Sequence, residues 1–499
     1  MKKTLSWFEI VTVNSYYLGL NIASGIITPL LLPYMVLLFI PSDQKSTAMS
    51  VIRSSGLAVA MLVQPLAGLL SDRNTSRWGK RRPFIFWGAI LNVLFLLIIA
   101  FSTRVPGTFA GFPLGYWIFF GGMILFQISS NIGHGALHGL IPDRVPLHQR
   151  GIASGIKSIM ELLPVFMIIV AGFFVDRGNI WLPTGIIMLG FLATMGITIR
   201  FVSEEPLKEQ PPESLREPIL RIIALTAIFV GVSQGATWLV RQTHHWISHI
   251  NLTLSARVLI VTITGLIAMN AAIFVGVFMG VRVGLGKQSL KYGDFIWWII
   301  NRLLYLAAIS SIQVFTLFYL RDVLHIPKPT GMTTTLLATI AAFLLPAALI
   351  GGRMADKVGA HILIRFAGYI AAVGVCALIL AKGVWMVLIG GSILGVSAGL
   401  FLATNWALGT RLVPPEEAGK YLGISNLAGA GAGIVGAGIG GPIADSLNRL
   451  QPGLGYLVIF MIYLMLFIIS ALVIRLIKAN PANRIVVVSA LTQDERAQP

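Results

Sequence analysis

Gly68-Leu69-Leu70-Ser71-Asp72-Arg73, followed after a short gap by Gly79-Lys80-Arg81-Arg82-Pro83, is the stretch on which the fold turns. It joins two apolar runs, at about 47–70 and 83–102, and it returns later as Gly352-Arg353-Met354-Ala355-Asp356-Lys357 followed by Gly359. Asp72 and Asp356 stand 284 residues apart. Six membrane helices with their loops need only roughly 200 residues, so the spacing predicts two six-helix halves with about 84 inserted residues, enough for two more spans. Mechanically, the acid can pair near a helix end while the basic groups hold one face and the glycines let helices approach. A plain charge bias would make the loop basic, but it explains neither the acid, nor the glycines, nor the repeat.

Working outward, apolar runs fall at about 9–39, 47–70, 83–102, 115–141, 151–174 and 180–202, and again at about 294–320, 332–350, 362–381, 384–410, 420–444 and 454–477. Two more lie between the sets, at about 219–240 and 254–283, after the acidic, proline-rich stretch 203–218. Of the 499 residues 56% are hydrophobic and 11% charged, and the mean hydropathy is +0.83. Soluble domains carry about 25% charged residues. The solvent of this chain is therefore lipid, and runs this long cross it as helices, which leave no backbone group unpaired. The expectation is an all-α polytopic membrane protein of about 14 spans. Residues 1–202 form one bundle, 203–292 an acidic loop plus two inserted helices, 293–480 the second bundle and 481–499 a cytoplasmic tail.

The net charge of +18 could suggest nucleic acid. Its distribution follows topology instead: with Met1 inside, Lys and Arg favour the inner side about threefold. The N-terminal run contains Asn14 and Asn21 and is too long for a signal peptide, so it reads as an uncleaved first span with both termini cytoplasmic, in a cell (inner) membrane. Cys376 is the one cysteine, and the 8 histidines show no zinc-type spacing, so no metal or cofactor is expected. No nucleophile–base set and no P-loop sequence supports an enzyme. Parallel halves point to a transporter that binds its solute near mid-membrane between them.

Gln64-Pro65-Leu66-Ala67-Gly68 with Ser71-Asp72-Arg73-Asn74-Thr75-Ser76-Arg77-Trp78-Gly79-Lys80-Arg81-Arg82-Pro83-Phe84-Ile85 resembles the second-to-third-helix loop of the major facilitator superfamily. More narrowly it is similar to the sucrose/proton symporters and the related glycoside-pentoside-hexuronide/cation symporters. General likeness covers about 1–202 and 293–480; the narrower one is specific mainly in 61–85, and the inserted pair falls outside the twelve-helix pattern. The resemblance implies alternating access, a disaccharide or glycoside as solute, and proton or other cation symport in a monomer. Plant sucrose symporters carry, at the position aligned with Gln127, an aspartate tied to proton coupling. Here it is an amide that cannot titrate.

Gln127, Asn131, His134 and His138 lie at offsets of 4, 7 and 11, on one helical face. Such a stripe lines a cavity or glues helices together. Lys157 and Glu161 stand one turn apart, and Glu161 lies about 15 Å inside its span. A charge there costs roughly 2.5–3.5 kcal/mol and an i,i+4 pair returns only about 0.2–0.5, so stability alone does not account for it. Glu161, with Lys157, is the coupling candidate; a structural ion pair is the alternative. Arg302 is the deep charge of the second half, set to meet Glu161 or the solute, or else snorkelling. Arg53 and Arg365 read as snorkelling. Asn14, Tyr17, Asn21, Gln313, Asn405 and Trp406 complete a pocket of amides and aromatics suited to a sugar. The small residues from Gly429 to Gly441 fit close packing, or a hinge. Rival readings are a 14-span drug or metabolite exporter and a non-transporting membrane protein with the same fold.

Overall fold

The computed structural model describes residues 4–204, 206–207, 214–285, 293–412 and 418–477. It is all-helical apart from a two-residue ribbon pairing Thr108–Phe109 with Phe112–Pro113. The first bundle contains α1 (Trp7–Phe39), α2 (Lys45–Asp72), α3 (Arg82–Phe101), α4 (Leu114–Arg144), α5 (Arg150–Val175) and α6 (Trp181–Phe201). Next come α7 (Arg216–Ser248) and α8 (Leu254–Leu285). The second bundle contains α9 (Gly293–Asp322), α10 (Pro329–Val358), α11 (Ala360–Ile379), α12 (Val384–Arg411), α13 (Ala418–Asn448) and α14 (Leu454–Val473). Among the described residues, twelve helices are long and apolar enough to cross a membrane, which makes this a multi-pass membrane protein. Of the other two, α4 has an apolar run diluted by Gln127, Asn131, His134 and His138, and the first part of α13 has side chains that lie outside the described residues. Helix α7 runs past the apolar stretch at 219–240 because Arg241, His244 and His245 interrupt hydropathy without interrupting the helix.

The repeat has a backbone signature. Gly79 and Gly359 have φ of 99° and 98°, the left-handed region that a β-carbon disfavours, at equivalent points after α2 and α10. The side chain of Asp356 lies outside the described residues, and so do residues 286–292, 413–417 and the 481–499 tail.

The halves meet along two seams related by the same repeat, α2 against α13 and α5 against α10. The glycines of α13 are used on both sides. A β-carbon at Gly433, Gly438 or Gly441 would strike Leu57, Ser54 or Ser50 of α2, and one at Gly436 would strike Ala307 and Ser311 of α9. Close packing is thus the role these small residues play in this structure. Gly441→Ala is expected to cost about 1–3 kcal/mol, the usual range for overpacking, read as a lower melting temperature in detergent. An unchanged melting temperature would show that the seam can open at no cost.

At the end of the bundle away from the 73–81 loop, each seam closes with a carboxylate on a helix N-terminus. Asp445 at the end of α13 accepts from the backbone N–H of Ser46 (3.1 Å) and Thr47 (2.6 Å) of α2. Asp176 at the end of α5 accepts from the N–H of Thr330 (3.1 Å) and Gly331 (2.6 Å) of α10. Each carboxylate satisfies amides that a helix start leaves unpaired and sits at the positive end of its dipole. Lys45 and Asp322 add an ion pair across the first seam. Helix α7 packs on both α2 and α13, alongside that seam.

Candidate functional site

The 73–81 loop is organised around Arg81. Its buried guanidinium pairs with Asp72 at the end of α2, with Asp143 at the end of α4 (Nε, 3.0 Å) and with the Ser71 hydroxyl (2.5 Å). Gly139 provides the space, since a β-carbon there would overlap the guanidinium. Lys80 also reaches Asp143, at 2.9 Å. The backbone N–H groups of Arg81 and Arg82 donate to Glu204, each at 3.0 Å, and the Arg82 side chain donates to the carbonyl of Ile199. Burial holds the Glu204 carboxyl above the ordinary carboxylate range, against the pull of those two amides. Among the described residues it is Arg81, not Arg73, that takes the Asp72 carboxylate. Asp143 and Glu204 were missed in the sequence, where nothing local ties them to a loop 62 and 123 residues away.

The first bundle gathers a titratable cluster. Tyr17 on α1 lies edge-on to His134 and His138 of α4, with ring centroids 6.2 and 6.0 Å away, and its hydroxyl is 3.4 Å from His138 Nδ1. The two imidazoles stack at 4.5 Å, as a one-turn spacing permits. From α5, the Lys157 ammonium sits 4.9 Å over the Tyr17 ring and 3.2 Å from Glu161. Glu161 precedes a break in α5, which stops at Leu162 and resumes at Val165 after Pro164. Asn131 donates to the Gln127 carbonyl at 2.8 Å. Asn14 and Asn21 donate to backbone carbonyls of α1 itself, those of Ile10 and Tyr17, at 2.9 and 2.8 Å.

The second bundle holds a neutral amide network around its deep arginine. Arg302 Nη1 donates to Asn405 Oδ1 at 2.9 Å, and its guanidinium lies 5.3 Å over Trp406 and 5.8 Å over Trp298. The Asn405 amide donates to Asn301 (3.1 Å), whose own amide donates to the Ser470 carbonyl and hydroxyl, both at 2.9 Å. Asn301 was missed, although an amide beside an intramembrane arginine is itself a signal. Gln313 is half-buried on α9. Arg302 is held by Asn405 and Glu161 by Lys157, so the predicted residues assemble as two clusters, one per half.

Arg53 does not snorkel. Its Nη1 donates to Thr28 at 3.2 Å, and it lines a cavity of about 70 Å³ between α1, α2 and α4 with Ser24, Thr28, Gln127 and Ser130. A π-turn at Ile27–Leu31 of α1, where Pro29 lacks an N–H to continue the regular ladder, sets Thr28 there.

The family description Major Facilitator Superfamily matches residues 15–437. Sucrose transport protein SUT1 of rice (Oryza sativa subsp. japonica) is 32% identical over 119 residues, 20% of this chain and 21% of that protein. Sucrose transport protein SUC4 of Arabidopsis thaliana is 32% identical over 146 residues, 27% of this chain and 26% of its own length. The chain thus aligns with about a fifth to a quarter of these relatives. In structure it is similar to a D-xylose-proton symporter (TM-score 0.59, 14% identity, 94% of this chain and 96% of that one). It is also similar to the nucleoside transporter NupG (TM-score 0.62, 10% identity, 94% and 99%).

Proposed function

This chain belongs to the Major Facilitator Superfamily, and on that premise we propose that it is a secondary active transporter, not an enzyme, which moves a disaccharide or glycoside by alternating access with proton symport. The observation that carries the reading is the Tyr17–His134–His138–Lys157–Glu161 cluster, which brings ionisable groups from three helices together. Symport needs a site that changes charge inside a sealed cavity, and these side chains supply it where Gln127 cannot. In the other half, Trp406, 41% exposed, offers a face for sugar C–H groups, and Arg302 beside it offers guanidinium N–H groups to hydroxyls. The names of the sucrose relatives support the solute class.

In this reading α4 and α13 also cross, giving 14 spans in a cell membrane. Residues 1–202 and 293–480 are the moving bundles, α7 and α8 an insertion outside the transport core, and both termini are cytoplasmic. The carrier works as a monomer and needs no cofactor. Cysteine labelling at Ser214 from the inner side and at Asn251 from the outer side is the expected topology; both on one side would remove the 14-span arrangement. The function is tested in proteoliposomes with an imposed inward proton gradient. Sucrose or a neutral glucoside should accumulate, and collapse of the gradient should release it; no solute-dependent uptake would overturn the reading.

A further inference from the structure

Arg53 and Arg302 are deep arginines in opposite halves, and among the described residues neither has a carboxylate partner. They are not equally provided for. Arg302 has an amide oxygen and two indole faces. The buried Nε of each is without a partner, but Arg53 has one hydroxyl alone, that of Thr28, for the rest of its guanidinium. An ionised group in such surroundings is costly unless an opposite charge meets it.

The wall of the cavity beside Arg53 says what would meet it. Its polar side chains are Ser24, Thr28, Arg53, Gln127 and Ser130, which offer guanidinium N–H, hydroxyl and amide N–H donors; none is a carboxylate. Leu20, Met123 and Phe126 supply an apolar remainder. At about 70 Å³ the cavity has room for a few waters or one small ion, far below the 300 Å³ or more of sites that enclose drug-sized ligands. A disaccharide does not fit. Gln127 is held at this wall by Gly56, where a β-carbon would lie 3.1 Å from its side chain.

We propose that this cavity binds a small monovalent inorganic anion of the halide or nitrate class, with Arg53 as the countercharge and Ser24, Gln127 and Ser130 completing a shell of donors. The site is separate from the sugar and proton reading above and does not depend on it. It gives the first bundle a bound negative charge beside the position at which Gln127 supplies none.

The test is thermal unfolding of the purified full-length protein in detergent, titrated with chloride, bromide or nitrate against gluconate at constant ionic strength. A site of this kind raises the melting temperature by mass action, on the order of several degrees at saturation. Arg53→Gln should abolish that rise. Gln127→Glu, which places a carboxylate on the same wall, should also abolish it, and its melting temperature in gluconate should match the wild type in chloride. No anion-dependent rise in the wild type overturns the proposal, as does a rise of equal size in Arg53→Gln. Should Arg53→Gln fail to fold, a full anion response in Gln127→Glu overturns it alone. Because the readout is binding, solute uptake can fail while this succeeds, or the reverse.

Discussion

Replacing Glu161 with Gln is expected to abolish proton-driven accumulation of solute while leaving solute exchange across the membrane intact. The substitution keeps the size and most of the hydrogen bonding of the side chain and removes its ability to change charge. In the wild type, Lys157 lies 3.2 Å from Glu161 and also rests over Tyr17, which touches both histidines. Protonating Glu161 therefore frees a cation that already faces the His134–His138 pair, so a change at one member of the cluster reaches the others. Uphill uptake under an imposed pH gradient should fall to the level of empty vesicles. Counterflow, which needs the carrier to turn over but not to couple, should stay within about a factor of a few. Normal uphill uptake by the variant would move the coupling group to the histidines or reduce the Lys157–Glu161 pair to a structural one.

Arg81→Ala should give the second large effect. Its guanidinium is buried and joins carboxylates from the ends of α2 and α4, while its backbone N–H reaches the Glu204 that follows α6. Removal takes from Asp143 its contact with the guanidinium and leaves Asp72 facing solvent. Asp72 is half exposed, so the loss lies between the roughly 0–1 kcal/mol of surface pairs and the 3–5 kcal/mol of broken buried ones, at about 2 kcal/mol. The motif lies away from both clusters, so solute affinity should hold within about twofold while the transport rate falls at least about tenfold. Arg81→Lys should recover part of the stability, since a point charge can meet one carboxylate but not several directions together. Unchanged transport in both Arg81→Ala and Asp72→Ala would reduce the motif to a topology signal.

What was legible in the sequence was periodic or repeated. The 284-residue separation of the two acid loops led to the expectation of two halves, and Gly79 and Gly359 share one backbone conformation. The polar stripe of α4 was readable because helical periodicity puts residues 127, 131, 134 and 138 on one face before any tertiary contact is known. Glu161 stood out because lipid makes a charge conspicuous. What stayed hidden was the direction of side chains between helices. Arg53 looked like a snorkelling residue because its depth could be counted but its facing could not; the π-turn at Ile27–Leu31 and the cavity decide that. The carboxylates around Arg81 come from three separate stretches of chain, and only the packing of α2, α4 and α6 brings them together.

The two aspartates at the far ends of α5 and α13 have a consequence for tolerance to substitution. Asp176 and Asp445 both take backbone amides, bonds that any residue with an N–H can donate; the Ser46 and Thr47 side chains also reach Asp445, and a β-carbon at Gly331 would lie 2.7 Å from Asp176, so that glycine matters along with the two aspartates. The amides they meet have no rotamers to search. When a seam parts, water can replace each partner in place, and when it closes the same four amides are waiting in fixed positions. The bundle end is thus fastened by a catch whose receiving half is the geometry of a helix start, which varies with neither composition nor side-chain disorder.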